Sequence, residues 1–209
     1  MEVPRPSADS PLHPILAEAA RGVLPTWSKA GASRRQHMVR VAGVLGDWAE
    51  QRGEPPRERD RWLATGLLHD SLRDEDPQTL RNQVDPLFRD FPRKVLHGPG
   101  AARRLRDEGV EDEELLHAIS FHTLGSAGFG ILGFALFAAD FLEPGRKFRE
   151  EWRADLRQRA AWDLPGVVRE ILSARIGYLL EKGRPLHPET LGFWNSLSEG
   201  QPWASASES

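Results

Sequence analysis

The sequence predicts an all-α protein, and three observations support this class. Apolar residues recur at intervals of three and four along most of the 209-residue chain, which is the spacing of one helix face. Runs of alternating β-branched residues, which would indicate strands, are missing. Glycine and proline separate the periodic segments, where helices are expected to end. We therefore expect one helical domain over residues 13–199, with flexible tails at 1–12 and 200–209.

The periodic segments define the predicted helices in chain order. Residues 13–24 predict a short first helix, and residues 33–51 a longer second one in which His37 and Trp48 share an apolar face. A third helix is expected over residues 57–70. The remaining helices are expected at 99–109, 110–123, 131–142, 163–183 and 187–200.

The segment 131–142 is the most apolar of these helices. The apolar run that contains it spans the 14 residues from Phe129 to Leu142, which is too short to cross a membrane and indicates a buried helix. One carboxylate, Asp140, lies within this run. A carboxylate among apolar residues needs a cationic partner, so Asp140 predicts either a metal ion or an arginine beside it.

Composition excludes several classes of function. Lysine and arginine number 28 against 31 acidic residues, so the net charge of −3 provides no global basic field for nucleic acid. Because there is no cysteine, disulfides, thiolate nucleophiles and cysteine-bound metals are excluded, and a cytoplasmic location is expected. The first residues lack the apolar stretch of a signal peptide, and no membrane association is expected.

Histidines and aspartates recur near the ends of the predicted helices. His69 and Asp70 are adjacent at the end of the third helix, where the alternatives are a charged helix terminus and half of a metal site. His97 precedes a helix start, and His122 ends a helix. The full series consists of His37, His69, Asp70, His97, His122 and Asp140. Imidazole and carboxylate ligands without thiolate suit iron, manganese or zinc, and this many ligands would suit two ions that share the aspartate.

The order of these motifs resembles the HD-domain superfamily of metal-dependent phosphohydrolases, and within it the YqeK-type symmetrical bis(5′-nucleosyl)-tetraphosphatases. The resemblance runs from about Arg35 to about Asn195, and its most specific segments are WLATGLLHD, VLHGPGAARRL, EELLHAISFHTLG and ALFAADFLEPGRKF. It implies an HD-domain helical bundle with a two-metal site between helices, held by the same six residues with Asp70 bridging. Iron is the first candidate for both divalent ions, with manganese or another transition metal as alternatives.

The resemblance also implies an activity, the cleavage of diadenosine tetraphosphate to two ADP by a metal-activated hydroxide. Asp70 and Arg73 are the expected catalytic residues, and Arg73, Thr123, Arg146 and Lys147 are the expected substrate contacts. A solvated surface position is the alternative for the three cations, and helix capping is the alternative for Thr123. Arg73 stands where the family usually has lysine, and these cations differ in shape and hydrogen bonding, so the exact nucleotide stays open.

Three other functions stay open at the level of the sequence. They are an HD-domain nucleotidase or phosphohydrolase that acts on another nucleotide, an HD-type di-iron oxygenase, and a non-catalytic metal-stabilised regulatory module. All six candidate ligands are retained, which favours an enzyme over the regulatory module. The EPGRKF segment argues against the oxygenase. The sequence does not fix the oligomeric state, for which a homodimer is an alternative to a monomer.

Several aromatic residues outside the ligand series have simpler interpretations. His117 lies on a different helix face from His122 and is predicted to be structural. The role of His187 stays open. Three tryptophans outside the ligand helices are predicted to pack in the core, with a dimer surface as the alternative. They are Trp152, Trp162 and Trp194.

Overall fold

The computed structural model of the protein describes residues 11–198, and every regular element in that range is helical. Ten α-helices follow one another, with two 3-10 turns between the fourth and the fifth. The helices are α1 Pro14–Ala20, α2 Ala32–Gln51, α3 Pro56–Leu68, α4 Pro77–Gln83, α5 His97–Asp107, α6 Glu113–Phe121, α7 Ile131–Leu142, α8 Glu150–Arg159, α9 Leu164–Glu181 and α10 Pro188–Ser198. The prediction of an all-α fold is confirmed.

The predicted tails lie almost wholly outside the described residues. Only residues 11 and 12 of the N-terminal tail fall inside them, and Leu12 is partly buried against the core. The boundaries of the helical domain therefore stay a prediction. Within residues 11–198 the structure contains no helix with the length and apolar character that a membrane span requires.

Helix α7 is the centre of the bundle. It packs against α2, α3, α6, α8 and α9, and most of its side chains are buried because its sequence, ILGFALFAADFL, is apolar on every face. Its bounds, Ile131–Leu142, agree with the prediction. The exception to its apolar character is Asp140 in the last turn, whose carboxylate lies beside His37 of α2.

Helices α2 and α3 approach each other closely at Gly66. A Cβ atom at this position would lie 2.6 Å from the Cα atom of Ala42, so only glycine allows the two backbones to come this near. The close approach occurs in the last turn of α3, two residues before its end at Leu68. It therefore holds the residues that follow α3 against α2, and the rings of His37 and His69 lie 5.4 Å apart.

The structure differs from the predicted elements in two short helices. Helices α4 and α8 were not predicted, because they bury only Leu80 in the first and Arg153 and Leu156 in the second, which leaves no periodic apolar signal. Among the tryptophans, Trp162 is 74% exposed in the loop between α8 and α9, so the prediction that it packs in the core was wrong.

Several predicted helix ends are also displaced: α1 ends at Ala20 and not at residue 24, and two further shifts concern the candidate ligands. Helix α3 stops at Leu68, so His69 and Asp70 lie in the turn that follows. Helix α5 begins at His97 and not at Pro99, since the backbone N–H of Gly100 already bonds to the carbonyl of Leu96. Both shifts place candidate ligands at helix ends, where neighbouring side chains can converge on one point.

Candidate metal centre

The carboxylate of Asp70 lies between two pairs of histidines. Its Oδ2 atom is 3.7 Å from Nε2 of His37 and 3.5 Å from Nε2 of His69. Its Oδ1 atom is 2.9 Å from Nε2 of His97 and 3.6 Å from Nε2 of His122. All five side chains are buried, and they form two groups of three potential ligands that share Asp70. A carboxylate that bridges two metal ions needs this arrangement, with one oxygen directed toward each group.

Four separate segments bring these side chains together. His37 lies within α2, and His69 and Asp70 follow α3. His97 is the first residue of α5, and His122 follows the last residue of α6. Helices α5 and α6 meet at Gly98, where a Cβ atom would lie 2.6 Å from the carbonyl oxygen of Ile119 and 3.1 Å from the ring of His122. The absence of a side chain at residue 98 lets the two histidines approach.

Hydrogen bonds at the far side of three rings fix which nitrogen carries the proton. Nδ1 of His69 and Nδ1 of His122 each lie 2.8 Å from a backbone carbonyl oxygen three residues earlier. Nδ1 of His37 lies 3.3 Å from Oε1 of Glu143. A carbonyl oxygen or a carboxylate only accepts hydrogen bonds, so we assign the proton of each neutral ring to Nδ1. The lone pair on each Nε2 atom then points toward Asp70, as a metal-binding imidazole requires.

The donor atoms fit divalent transition-metal ions. Nε2 of His97 and Nε2 of His122 lie 3.1 Å apart, and the His122 atom presents a lone pair because its proton is on Nδ1. Within residues 11–198, Nε2 of His69 is buried without any hydrogen-bond partner. Buried lone pairs that converge on a carboxylate need a cation to stabilise them. Nitrogen and oxygen donors without sulfur suit iron, manganese or zinc.

The environment holds most of these ligands in the form that binds a cation. Burial lowers the pKa of His69 to about 4, because the attraction to Asp70 offsets only part of the cost of burying a charge. Burial likewise lowers the pKa of His97. Burial alone would raise the pKa of Asp70, but the neighbouring rings of His69, His122 and His97 outweigh burial and hold that pKa well below its usual range.

His122 differs from the other histidines of the centre. Its burial lowers the pKa, but the hydrogen bond and negative charge of Asp70 outweigh burial, and the net shift is upward. A cation and a proton therefore compete for the Nε2 atom of His122 in the metal-free protein.

Asp140 lies at the edge of the centre. Its Oδ1 atom is 3.1 Å from Nε2 of His37 and 2.9 Å from Nη2 of Arg146, and its side chain is 22% exposed. It lies outside both groups of three around Asp70. The arginine partner that was the alternative to a metal ion is therefore present beside it, and a ligand role for Asp140 stays a prediction.

Sequence reasoning missed two charged residues of the centre. Glu143 is buried and accepts hydrogen bonds from Nε of Arg40 at 2.5 Å and from the backbone of Gly145 at 2.7 Å, in addition to its contact with His37. Nη1 of Arg34 donates to Oδ2 of Asp70 at 2.8 Å. Arg34 lies three residues before His37, hence on the same face of α2, and this spacing was the signal available in the sequence.

The predicted substrate contacts lie at different distances from the centre. Arg73 is half-buried and lines a small cavity together with His97. The hydroxyl oxygen of Thr123 lies 3.1 Å from Nε2 of His122. Arg146 pairs with Asp140, whereas Lys147 is exposed in the loop after α7.

Two further histidines lie away from the centre. Nε2 of His117 is 3.0 Å from Oγ of Ser126, and its ring packs against Phe121, which agrees with the structural interpretation. Nδ1 of His187 accepts a hydrogen bond from the backbone of Glu189 at 3.3 Å, at the start of α10. Both histidines therefore support local structure.

The helical bundle and its buried histidine–aspartate cluster define a class of protein. The family model of the HD domain matches residues 34–159, which is more than half of the chain, so the protein belongs to the HD-domain family. It is a metal-dependent phosphohydrolase of that family, related over most of its length to the symmetrical bis(5′-nucleosyl)-tetraphosphatases. The enzyme class and the family predicted from the sequence are confirmed.

The relatives agree in their described activity. The symmetrical bis(5′-nucleosyl)-tetraphosphatase of Halalkalibacterium halodurans is 33% identical over 172 residues, which cover 78% of this chain and 88% of the relative. The Bacillus subtilis enzyme of the same description is 28% identical, over 77% of this chain and 76% of its own. A crystal structure of a predicted HD superfamily hydrolase involved in NAD metabolism, from Clostridium acetobutylicum, covers 88% of this chain with a TM-score of 0.71. At 24% identity this structure shows the shared fold.

Proposed function

We propose that this protein cleaves diadenosine tetraphosphate symmetrically into two molecules of ADP. The observation that carries the proposal is the position of Asp70, whose two oxygens face two separate histidine pairs. A pair of neighbouring ions is suited to in-line displacement at phosphorus, because such ions can stabilise the attacking and the leaving oxygen together. The activity described for the relatives supports the choice of a dinucleoside tetraphosphate as substrate.

The proposed ligands divide into two halves. His37, His69 and Asp140 would hold one ion, His97 and His122 would hold the other, and Asp70 would contact both. When bound, the ions supply a hydroxide nucleophile at neutral pH and neutralise charge on the phosphates. Iron is our first candidate, because the histidine-rich donor set suits it, and manganese is the second.

The protein's own groups orient the ligands and the substrate. Glu143 holds His37 with Nε2 toward the centre, and Arg34 offsets the charge of Asp70. We assign phosphate binding to Arg73, Arg146 and Lys147, whose positive charges would stabilise the charge that develops on the phosphoryl oxygens.

Thr123 has two hydrogen-bonding roles in the proposal. Its hydroxyl contacts His122, and its carbonyl oxygen accepts from Nη2 of Arg175 at 2.6 Å, which fixes the turn after α6. With the turn fixed, the hydroxyl is available at the edge of the centre for a phosphoryl oxygen of the substrate.

The reaction breaks the bond between an inner phosphorus and the oxygen that bridges the two inner phosphates. The oxygen of water bonds to that phosphorus, and the bridging oxygen leaves on the second ADP. Asp70 is the catalytic carboxylate in this scheme, since it is the only group of the described chain that contacts all four histidines of the centre. Its low pKa keeps it ionised during the reaction.

Product analysis tests this proposal. Protein loaded with iron or manganese is incubated with diadenosine tetraphosphate in ¹⁸O-labelled water, and the nucleotides are separated and weighed. We expect ADP alone, with one ¹⁸O atom in half of the molecules. AMP together with ATP would contradict symmetric cleavage. The variant His117→Gln is the control: His117 contacts Ser126 away from the centre, so its loss is expected to leave the products unchanged.

The second candidate function is the hydrolysis of another nucleotide by the same centre. Arg73 favours this alternative, because arginine binds phosphate as a planar fork whereas the lysine usual in the family is a point charge. Hydrolysis of mononucleotides without turnover of diadenosine tetraphosphate would select it. A chain that binds metal and hydrolyses no nucleotide would select the regulatory module. The cytoplasmic location and the homodimer stay predictions.

A further inference from the structure

A small cavity adjoins the metal centre on the side of His97. Its volume is about 100 Å³, and His97 and Leu80 form part of its wall. Three cations also line it, namely Arg73, Arg93 and Lys94. His97 contacts Asp70 through its Nε2 atom, so the cavity and the centre share this ring as a common wall.

The chain holds two of these cations on an anchored backbone. Arg93 and Lys94 begin the 3-10 turn that immediately precedes α5. The next two residues, Val95 and Leu96, are buried in the core, so the turn is packed in place next to His97 at the start of α5. Both cationic side chains are exposed at the mouth of the cavity, whereas Arg73 is half-buried within it.

The cavity carries an excess of positive charge. Glu75 is the one carboxylate among its lining residues, and its Oε1 atom accepts a hydrogen bond from the backbone of Asp76 at 2.9 Å. In the described part of the chain, no carboxylate lies within ion-pair distance of Arg73, Arg93 or Lys94. Arg93 also interacts with the exposed carboxylate of Asp76, whose pKa it helps to lower. The three cations still outnumber the two neighbouring carboxylates, so this concave surface attracts an anion.

We propose that Arg73, Arg93 and Lys94 form a subsite for one phosphate group of the substrate. This phosphate would be the neighbour of the two inner phosphates between which the bond is broken. The cavity is too small for a nucleoside, and its cations select an anion, so a phosphoryl group is the ligand that fits both its size and its charge. Because His97 borders both the cavity and the metal centre, a single chain of phosphates can occupy the two positions together. The inference rests on the proposed function for the identity of the substrate.

The subsite has a consequence for specificity. A substrate with a chain of phosphates reaches both the metal centre and the three cations, whereas orthophosphate occupies only one of them at a time. We therefore expect the enzyme to discriminate by the number of phosphates, with the loss of Arg93 and Lys94 removing this preference. Lysine and arginine are not equivalent for phosphate, so the exchange of one for the other is the conservative variant.

Binding of inorganic tripolyphosphate tests the subsite without relying on catalysis. Isothermal titration of the manganese-loaded protein compares wild type with the double variant Arg93→Gln/Lys94→Gln. We expect the variant to bind tripolyphosphate about tenfold or more weakly, because two charge-assisted contacts are lost. Its affinity for orthophosphate is expected to stay within about twofold of wild type, since the metal centre is intact. Equal tripolyphosphate affinity in the two proteins would overturn the proposal, as would an equal loss for both anions.

A matched control removes two positive charges elsewhere. Arg59 lies in the first turn of α3, ten residues from His69 and thus roughly 15 Å along the helix. Arg104 lies seven residues from His97 on α5, roughly 10 Å away. The variant Arg59→Gln/Arg104→Gln is expected to bind tripolyphosphate as wild type does. The variant Arg93→Lys/Lys94→Arg is expected to recover most of the affinity, which excludes a folding defect in the turn.

Kinetics then separate the failure of the subsite from the failure of the proposed function. With diadenosine tetraphosphate, Arg93→Gln/Lys94→Gln is expected to raise KM about tenfold while kcat changes little. If wild type binds tripolyphosphate through these cations but does not hydrolyse diadenosine tetraphosphate, the proposed function fails and the subsite stands. If wild type hydrolyses the substrate and the variant keeps the same KM and the same tripolyphosphate affinity, the subsite fails alone.

Discussion

Oε1 of Glu143 lies 3.3 Å from Nδ1 of His37, and both side chains are buried. The contact joins the residue that follows α7 to the second turn of α2. Arg40 pairs with the other oxygen of Glu143 at 2.5 Å, which helps to keep this carboxylate ionised although it is buried. The pKa of Glu143 is accordingly low, because Arg40, the backbone of Gly145 and His37 outweigh the effect of burial. Glu143 thus orients a candidate metal ligand without being one.

The variant Glu143→Gln is expected to weaken metal binding by about 10- to 100-fold, the usual cost of removing an outer partner of a ligating histidine. The amide can still orient the ring of His37, but it lacks the negative charge that makes the imidazole a stronger donor. Competition with a chelator measures the metal affinity. Glu50→Gln is the control, because Glu50 is exposed on the same helix. Unchanged affinity in Glu143→Gln would contradict the orienting role.

The two carboxylates of the centre are expected to differ in how many ions their loss removes. Asp70→Asn is expected to deplete both ions, because each oxygen of Asp70 faces one histidine pair. Asp140→Ala is expected to deplete only the ion held with His37. Elemental analysis of the purified variants gives the number of ions per chain. Full occupancy in Asp140→Ala would show that this residue is not a ligand and that its contacts are those with His37 and Arg146.

Arg73 is expected to act through its charge and its fork of donors. Arg73→Gln should lower kcat/KM for diadenosine tetraphosphate by about a hundredfold, the typical effect of removing one donor that stabilises transition-state charge. Arg73→Lys should restore part of the activity, because the charge returns without the planar geometry. Steady-state kinetics on both variants with equal metal content checks this order. Equal activity of wild type and Arg73→Gln would place Arg73 among the solvated surface cations.

The close contact of α2 and α3 at Gly66 makes a prediction about stability. Gly66→Ala would place a Cβ atom 2.6 Å from Cα of Ala42, so it is expected to destabilise the fold by about 1–3 kcal/mol through overpacking. Gly43→Ala is the matched control on the exposed side of α2, where nothing lies within 4 Å of the added atom. There alanine is expected to stabilise by up to about 1 kcal/mol, because it favours helix more than glycine does. Urea unfolding measures both changes.

His117 predicts a dependence of stability on pH. Burial lowers its pKa in the folded protein, with partial compensation by Glu113, so the unfolded chain binds the proton more readily. The stability contributed by the buried, neutral ring of His117 is therefore fully present above the ordinary histidine pKa of 6.5. It is lost as the pH falls below that value. In metal-free protein, His117→Gln should show a smaller loss of unfolding free energy between pH 7.5 and 5.5 than wild type. Identical losses, measured by urea unfolding at each pH, would exclude this role.

The apolar helices could be predicted from the sequence, but the short amphipathic ones could not. Helix α7 has an uninterrupted apolar run, and its predicted bounds agree with the structure. Helix α4 buries one residue, Leu80, and depends on the cap formed by Asp76 and on its contact with α5. Such a helix is stabilised by tertiary contact and leaves little periodic signal.

The candidate ligands could also be predicted in part. The ligands around Asp70 could be predicted because they are histidines near the ends of predicted helices. Both the residue type and the position are typical of a metal site. Glu143 and Arg34 are ordinary charged residues in the sequence, and their roles depend on contacts with residues far along the chain. The three cations beside His97 were missed in part for the same reason, since Arg93 and Lys94 precede α5 without any distinguishing pattern.

The spread of the candidate ligands along the chain gives the bound ions a mechanical role. The donors extend from His37 to Asp140, and the protein has no cysteine with which to form a covalent cross-link. Ions held by segments this far apart close long loops in the chain, which costs the unfolded state more conformational freedom than the folded state. The bound ions would then hold α2, α3, α5, α6 and α7 together as reversible cross-links. The stability of the fold would depend on the concentration of free metal.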